Sequence, residues 1–230
     1  MVKKNAYRIR QRIIKVCSKI NQDPSKITIV AVSKGRAIEQ IKEAIEAGIT
    51  DIGENRVQEA LAKHRELSTI DYRLSIVKWH MVGHLQTNKV KDAVRIFDLI
   101  QSVDSMRLAE EINKQAGKIN KIQDILIEIK TSPEESRFGL KPDESIKVIT
   151  ELTKFKNIKI KGLMTIAPVV DDSEKARPYF RMLRELRDKI NKLSAVSCQL
   201  SALSMGMTDD FETAIEEGSN MVRLGRAIFE

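Results

Sequence analysis

Lys34 stands at the end of the run Ile27-Thr28-Ile29-Val30-Ala31-Val32-Ser33 and is followed by Gly35. Seven residues rich in Val and Ile read as a strand buried on both faces. An ammonium placed where such a strand stops has to pair its charge or lose it, and a lysine with a lowered pKa is a nucleophile towards carbonyls. The plainer reading is a surface lysine in a β–α loop, common in a chain with 40 Lys and Arg residues. Two later segments could hold an anion. In Leu203-Ser204-Met205-Gly206-Met207-Thr208-Asp209-Asp210, Gly206 permits tight backbone geometry. Thr208 or Asp209 can cap a following helix, while backbone N–H groups and the Ser204 hydroxyl can bind a phosphate. In Arg223-Leu224-Gly225-Arg226, Gly225 allows an anion to approach the backbone. A simple helix cap is the competing reading of the first segment.

The elements that must position these groups alternate. Asn5 to Asn21 repeats Ile9, Ile13, Val16 and Ile20 at helical spacing, and Asp23-Pro24 ends it. Strands are expected at 27–33, 49–53, 78–82, 96–102, 125–129, 158–165, 195–200 and 221–224, with helical patterns between them. Eight β–α units with short connections, and no G-x-G-x-x-G after the first strand, predict a closed (β/α)8 TIM barrel rather than an open sheet. The whole chain, 1–230, reads as one such domain, with an extra N-terminal helix that caps the barrel floor or serves a partner. In these barrels working groups lie where strands end. Lys34, Glu54, Asn55, His80, His84, Arg137, Gly139, Met164, Thr165, Ser201, Ser204, Arg223, Gly225 and Arg226 fall there. His80, within a strand, also reads as a satisfied core histidine.

Composition narrows the classes. The formal charge is +8, but cations alternate with acids, as in Arg181 to Lys189, which describes a solvated helix face rather than a nucleic-acid stripe. Aromatics are only 4%, so nucleic acid is not expected as a partner. An anionic small molecule explains a few well-placed cations more simply. No run of eighteen apolar residues is present to span a membrane. The basic start lacks an apolar stretch, so no signal peptide is expected. Cys17 and Cys198 read as small buried hydrophobes. A cytoplasmic protein is expected.

Taken together, Ala31-Val32-Ser33-Lys34, Gly53 to Glu59, Trp79 to Lys89, Gly162 to Pro168, Leu203 to Asp210 and Val222 to Phe229 resemble the YggS/PROSC family of pyridoxal-phosphate (PLP) homeostasis proteins. The resemblance implies a fold like the barrel domain of alanine racemase without its second domain. It implies that Lys34 forms the internal aldimine with PLP, and that Ser204 with the backbone at Gly225 and Arg226 holds the phosphate. Arg223 would face the pyridine nitrogen, and Asn55, His80 and Met164 would line the pocket. Arg137 and Gly139 match a loop of unassigned role. Arg226 stands where the family pattern has a small hydroxyl residue, so one hydroxyl donor to phosphate is lost there.

An arginine at the pyridine nitrogen does not give up its proton readily, which weakens the electron sink of PLP. The tyrosine that serves racemases as the opposite acid/base comes from the second domain. Tyr7, Tyr72 and Tyr179 lie outside the matched motifs. The expectation is therefore a non-catalytic, monomeric protein that buffers PLP and delivers it to PLP-dependent apoenzymes. A PLP-dependent amino-acid racemase of low activity is the alternative.

Overall fold

A computed structural model of the chain describes residues 1–70, 76–134, 138–193 and 199–230, with the side chains of 69 and 70 left aside. The strands are β1 (Thr28–Val32), β2 (Asp51–Glu54), β3 (Lys78–Met81), β4 (Leu99–Val103), β5 (Gln123–Glu128), β6 (Ile158–Met164), β7 (Ala202–Ser204) and β8 (Met221–Leu224). They form a closed parallel barrel in sequence order. Closure runs from Thr28↔Met221 to Ala31↔Leu224, which sets the β8 segment beside the end of β1. The helices are α1 (Val2–Lys19), α2 (Ile38–Glu46), α3 (Val57–Ile70), α4 (Val90–Ile96), α5 (Met106–Gly117), α6 (Pro142–Leu152), α7 (Arg177–Asn191), α8 (Phe211–Glu216) and α9 (Arg226–Phe229).

Strand period and helix period divide the apolar residues into two layers. Outward-facing strand residues such as Ile52, Ile100, Ile125, Ile127 and Val222 meet buried helix residues such as Ile41, Leu108, Ile112, Phe180 and Leu183. Burying one such side chain contributes about 1.5–3 kcal/mol, so this layer carries most of the stability. α5 shows the local logic. Ser105 accepts from the Leu108 N–H as its N-cap, and Leu108, Ala109, Ile112 and Ala116 share the buried face. The second layer fills the barrel and is small: Leu99, Leu126 and Met164, flanked by Ile166, Ala202 and Met221. Val30, Val32 and Val82 face Gly53 inside the barrel, and His80, Gln101, Ser204 and Arg223 supply polar inner positions for a site.

α1 packs on α2, α8 and α9 across the β8–β1 seam, tied by Asn5 to the Ile228 carbonyl and by Arg12 to Glu212. It thus staples the barrel closure from outside. Ile20 lies beyond the helix end and is exposed, off the apolar stripe assigned to it.

β7 is where the expected strand map needs correcting. It occupies Ala202–Ser204, and of the expected 195–200 Gln199 and Leu200 are not in a strand, while residues 194–198, Cys198 among them, lie outside the described residues. Ser204 is therefore the last residue of the strand, and Ser201 precedes it. Leu200 is held outside the sheet by the Asn191 side chain, which bonds both its N–H and its carbonyl. The true strand needs small and polar inner residues. Gly162 of β6 meets Ala202 so closely that a Cβ there would lie 1.9 Å from the Ala202 carbonyl oxygen.

Candidate functional site

Arg223 projects inward from β8 and is 4% exposed. One guanidinium nitrogen donates to the Ser204 hydroxyl at 2.7 Å, and another to the Thr165 carbonyl at 2.8 Å. Burial lowers its pKa to about 10, against the carboxylates of Glu128 and Asp210, which raise it. The group therefore stays cationic at neutral pH. A guanidinium carries five N–H donors, so two bonds leave others for a ligand.

From Ser204 a chain of hydrogen bonds crosses the barrel. Its hydroxyl donates to Gln101 Oε1 at 2.6 Å; Gln101 Nε2 meets His80 Nδ1 at 2.8 Å; and His80 Nε2 meets Asp51 Oδ1 at 3.0 Å. The amide NH2 requires a lone pair on Nδ1, which places the imidazole proton on Nε2, facing Asp51. Burial alone would raise the Asp51 pKa, but the hydrogen bond from His80, with the Lys78 charge and the Thr50 hydroxyl, holds it below its ordinary value. Every polar group in this series has a partner, which is what makes a polar barrel interior tolerable.

Lys34 lies just past β1 and is exposed rather than buried. With Asn55 it lines a pocket of about 340 Å³, together with Arg56, Gly83, His84 and Lys89. Asn55 is seated by Gly83, where a Cβ would come 2.6 Å from the Asn55 carbonyl oxygen. His84 reaches Asp104 at 3.1 Å and stacks on Phe138. A cavity of about 400 Å³ under α1 lies at the opposite face of the barrel. It holds none of the sequence-predicted residues.

Gly225 begins α9 and lies against Val32, at the end of β1. Its neighbour Arg226 is exposed and is ion-paired with Asp209 at 2.5 Å. Thr208 Oγ1 accepts from the Ala227 N–H at 3.3 Å, which sets a hydroxyl beside the start of α9. Met164 is fully buried in the inner apolar layer and is the register partner of Ser204.

The structure thus joins Ser204 and Arg223 directly, links His80 to them through Gln101, and sets Gly225 and Arg226 beside Thr208. Lys34 and Asn55 form a neighbouring wall. Gly139 turns with φ at +118°, and Arg137 lies outside the described residues. Gln101 and Lys63 were not among the sequence candidates. Gln101 looked like one more polar residue in an apolar strand, and Lys63 like one more helix cation. The donor set fits a phosphorylated pyridine aldehyde: an amine for the carbonyl, a hydroxyl and helix-end N–H groups for the phosphate, and a spare guanidinium face for the ring nitrogen. Among the described residues no cluster of metal-ligating side chains is present.

Comparison with known proteins shows the family. Residues 5–230 match the family described as alanine racemase, N-terminal domain. A pyridoxal phosphate homeostasis protein of Aquifex aeolicus is 43% identical over 223 residues, 96% of this chain and 94% of that protein. PipY of Synechococcus elongatus, solved with PLP bound, superposes with a TM-score of 0.83 at 33% identity, covering 95% of this chain and 100% of PipY. Alanine racemase of Clostridium difficile shares the fold at 17% identity and a TM-score of 0.71, and the match spans 95% of this chain but 58% of the racemase. Barrel and sequence agree that the chain belongs to the alanine racemase N-terminal domain family, in its pyridoxal phosphate homeostasis branch.

Proposed function

We propose that this chain binds pyridoxal 5'-phosphate at the mouth of the barrel and serves intracellular PLP homeostasis by holding and releasing the cofactor. PLP supplies an aldehyde that captures amines. Lys34 is the amine that holds it; Thr208 and the Gly225–Arg226 backbone bind the phosphate; Asn55 forms the side wall. Ser204 acts on the cofactor through Arg223, which it orients, and His80 acts through Gln101 and Ser204. Met164 is the apolar floor.

The observation that carries this reading is Arg223. It is a buried cation held by a hydroxyl and a carbonyl, with no carboxylate in direct contact among the described residues, and it does not give up its charge-bearing proton to a ring nitrogen at neutral pH. That arrangement suits storage of the cofactor rather than carbanion chemistry, so the reading includes no turnover of its own. We also place the protein in the cytoplasm as a monomer, with PLP-dependent apoenzymes as recipients. Among the described residues no helix is long and apolar enough to cross a membrane.

Adding PLP to the purified protein is expected to produce a visible absorption band. Borohydride should then fix one PLP on Lys34, and the Lys34→Ala variant should fix none. An undiminished adduct in that variant would overturn the assignment. Deuterium exchange at the α-carbon of L- and D-amino acids is expected not to exceed that given by free PLP; faster exchange would make the protein an enzyme.

A further inference from the structure

Behind Lys34, on the helix side of the barrel wall, Lys63 of α3 is 9% exposed. Its ammonium donates to the Ser33 carbonyl at 2.6 Å, Glu54 Oε1 at 2.6 Å and Glu59 Oε1 at 2.7 Å. An ammonium has three N–H bonds, so all three are committed. Glu54 is fully buried and also accepts from the Ser33 hydroxyl. Glu59 also accepts from the Gly35 N–H at 2.6 Å.

The carbonyl just before Lys34 and the N–H just after it therefore both end in this one cluster. Gly35 takes φ at +67°, a left-handed turn that the Glu59 bond holds in place. Loops at strand ends are ordinarily mobile. A buried ion cluster is a weak source of stability, because desolvation offsets the attraction. What this cluster secures is the geometry of the turn. We propose that Lys63, with Glu54 and Glu59, is the positioning cluster that sets the reach of the Lys34 amine towards an aldehyde at the barrel mouth.

The inference rests on the reading of Lys34 as the amine that holds PLP. In that step the Lys34 nitrogen, as free base, forms a bond to the aldehyde carbon. Both amine hydrogens leave with the carbonyl oxygen as one water, and no redox partner is needed. The rate depends on how closely the nitrogen is held at attack distance. Lys63 touches neither reacting atom and acts through the backbone around Lys34.

The test compares Lys63→Met and Glu59→Gln with the unaltered protein, using two ligands. PLP reports capture through the growth of the visible band in a stopped-flow mixer. Pyridoxine 5'-phosphate, with an alcohol in place of the aldehyde, reports binding alone by calorimetry. Both variants are expected to slow capture on the order of 10- to 100-fold, with affinity for pyridoxine 5'-phosphate unchanged. Glu59 is partly exposed, so its variant decides the matter if Lys63→Met does not fold.

Capture at the original rate overturns the proposal. Equal loss with both ligands overturns it too, by showing general support of the site rather than positioning. If Lys34→Ala still fixes PLP, the reading of Lys34 fails. If it fixes none while the cluster variants capture normally, only the positioning role fails.

Discussion

Two buried cations lie on either side of the barrel wall, and they are held in opposite ways. Lys63, outside, is neutralised at contact by two carboxylates, with every proton spent. Arg223, inside, rests on a hydroxyl and a carbonyl, with Glu128 and Asp210 acting through charge. Donor capacity explains the division of labour. A saturated ammonium can only hold its neighbours in place, whereas a guanidinium with unspent N–H groups can still meet a ligand. Burial alone thus does not mark a ligand-binding cation.

Substitutions can break this contrast. The largest effect is expected from Lys63→Met, which leaves the Glu54 carboxylate buried without its cation. Removing one partner of a buried pair costs about 3–5 kcal/mol, readable as a lower urea midpoint. Arg223→Met removes a cation that, among the described residues, has no carboxylate in contact, and should destabilise less. It should instead weaken PLP binding roughly 10- to 100-fold, the worth of a hydrogen bond from a charged group, measured by fluorescence titration. If the order is reversed, with Lys63 deciding affinity and Arg223 stability, the contrast is wrong.

Smaller effects sharpen the picture. Thr208→Val should weaken PLP binding by up to about tenfold, as one neutral hydrogen bond is lost. Arg226→Ala should leave binding unchanged, because the exposed Arg226–Asp209 pair is screened by water. The reverse result would return the phosphate role to Arg226.

The pH dependence of stability should also divide between the two sides. Burial raises the Glu54 pKa above 4.5, against the opposing bonds from Lys63 and Ser33. A raised carboxyl pKa means that the folded state holds the proton more tightly. Its stabilising contribution is present below pH 4.5 and is lost as pH rises through the folded value. Asp51 is held below 3.8, so its contribution is present above pH 3.8 and is lost as pH falls through the folded value. Urea unfolding should therefore lose part of its decline as pH rises above 4.5 in Glu54→Gln, and part of its decline as pH falls below 3.8 in Asp51→Asn.

Much of the molecule was legible along the chain. Seven of the eight strands could be located from apolar runs, because a parallel barrel strand is covered on both faces. β7 escaped because its inner positions, Ala202 and Ser204, are small and polar where the site opens. Lys34, Asn55, Ser204 and Arg223 stood out because polar residues where apolar strands end are costly without partners. The resemblance to PLP homeostasis proteins then gave them roles. Thr208 was visible only as a helix cap, since its meeting with Ala227 spans the closure of β8.

The sequence by itself determined the β–α order, the buried faces and the residues that chemistry could use, since those follow from period and local polarity. Only the tertiary structure decided which polar residues meet. Barrel closure brings Arg223 to Ser204 and Thr165, and Gln101 of β4 to Ser204 of β7. It also revealed that Lys63, 30 residues from Ser33, holds the turn that carries Lys34. The Glu59–Lys63 spacing alone describes a solvated helix pair. What makes it a buried clamp is the packing of α3 against the strand ends, and that is a long-range fact no local pattern encodes.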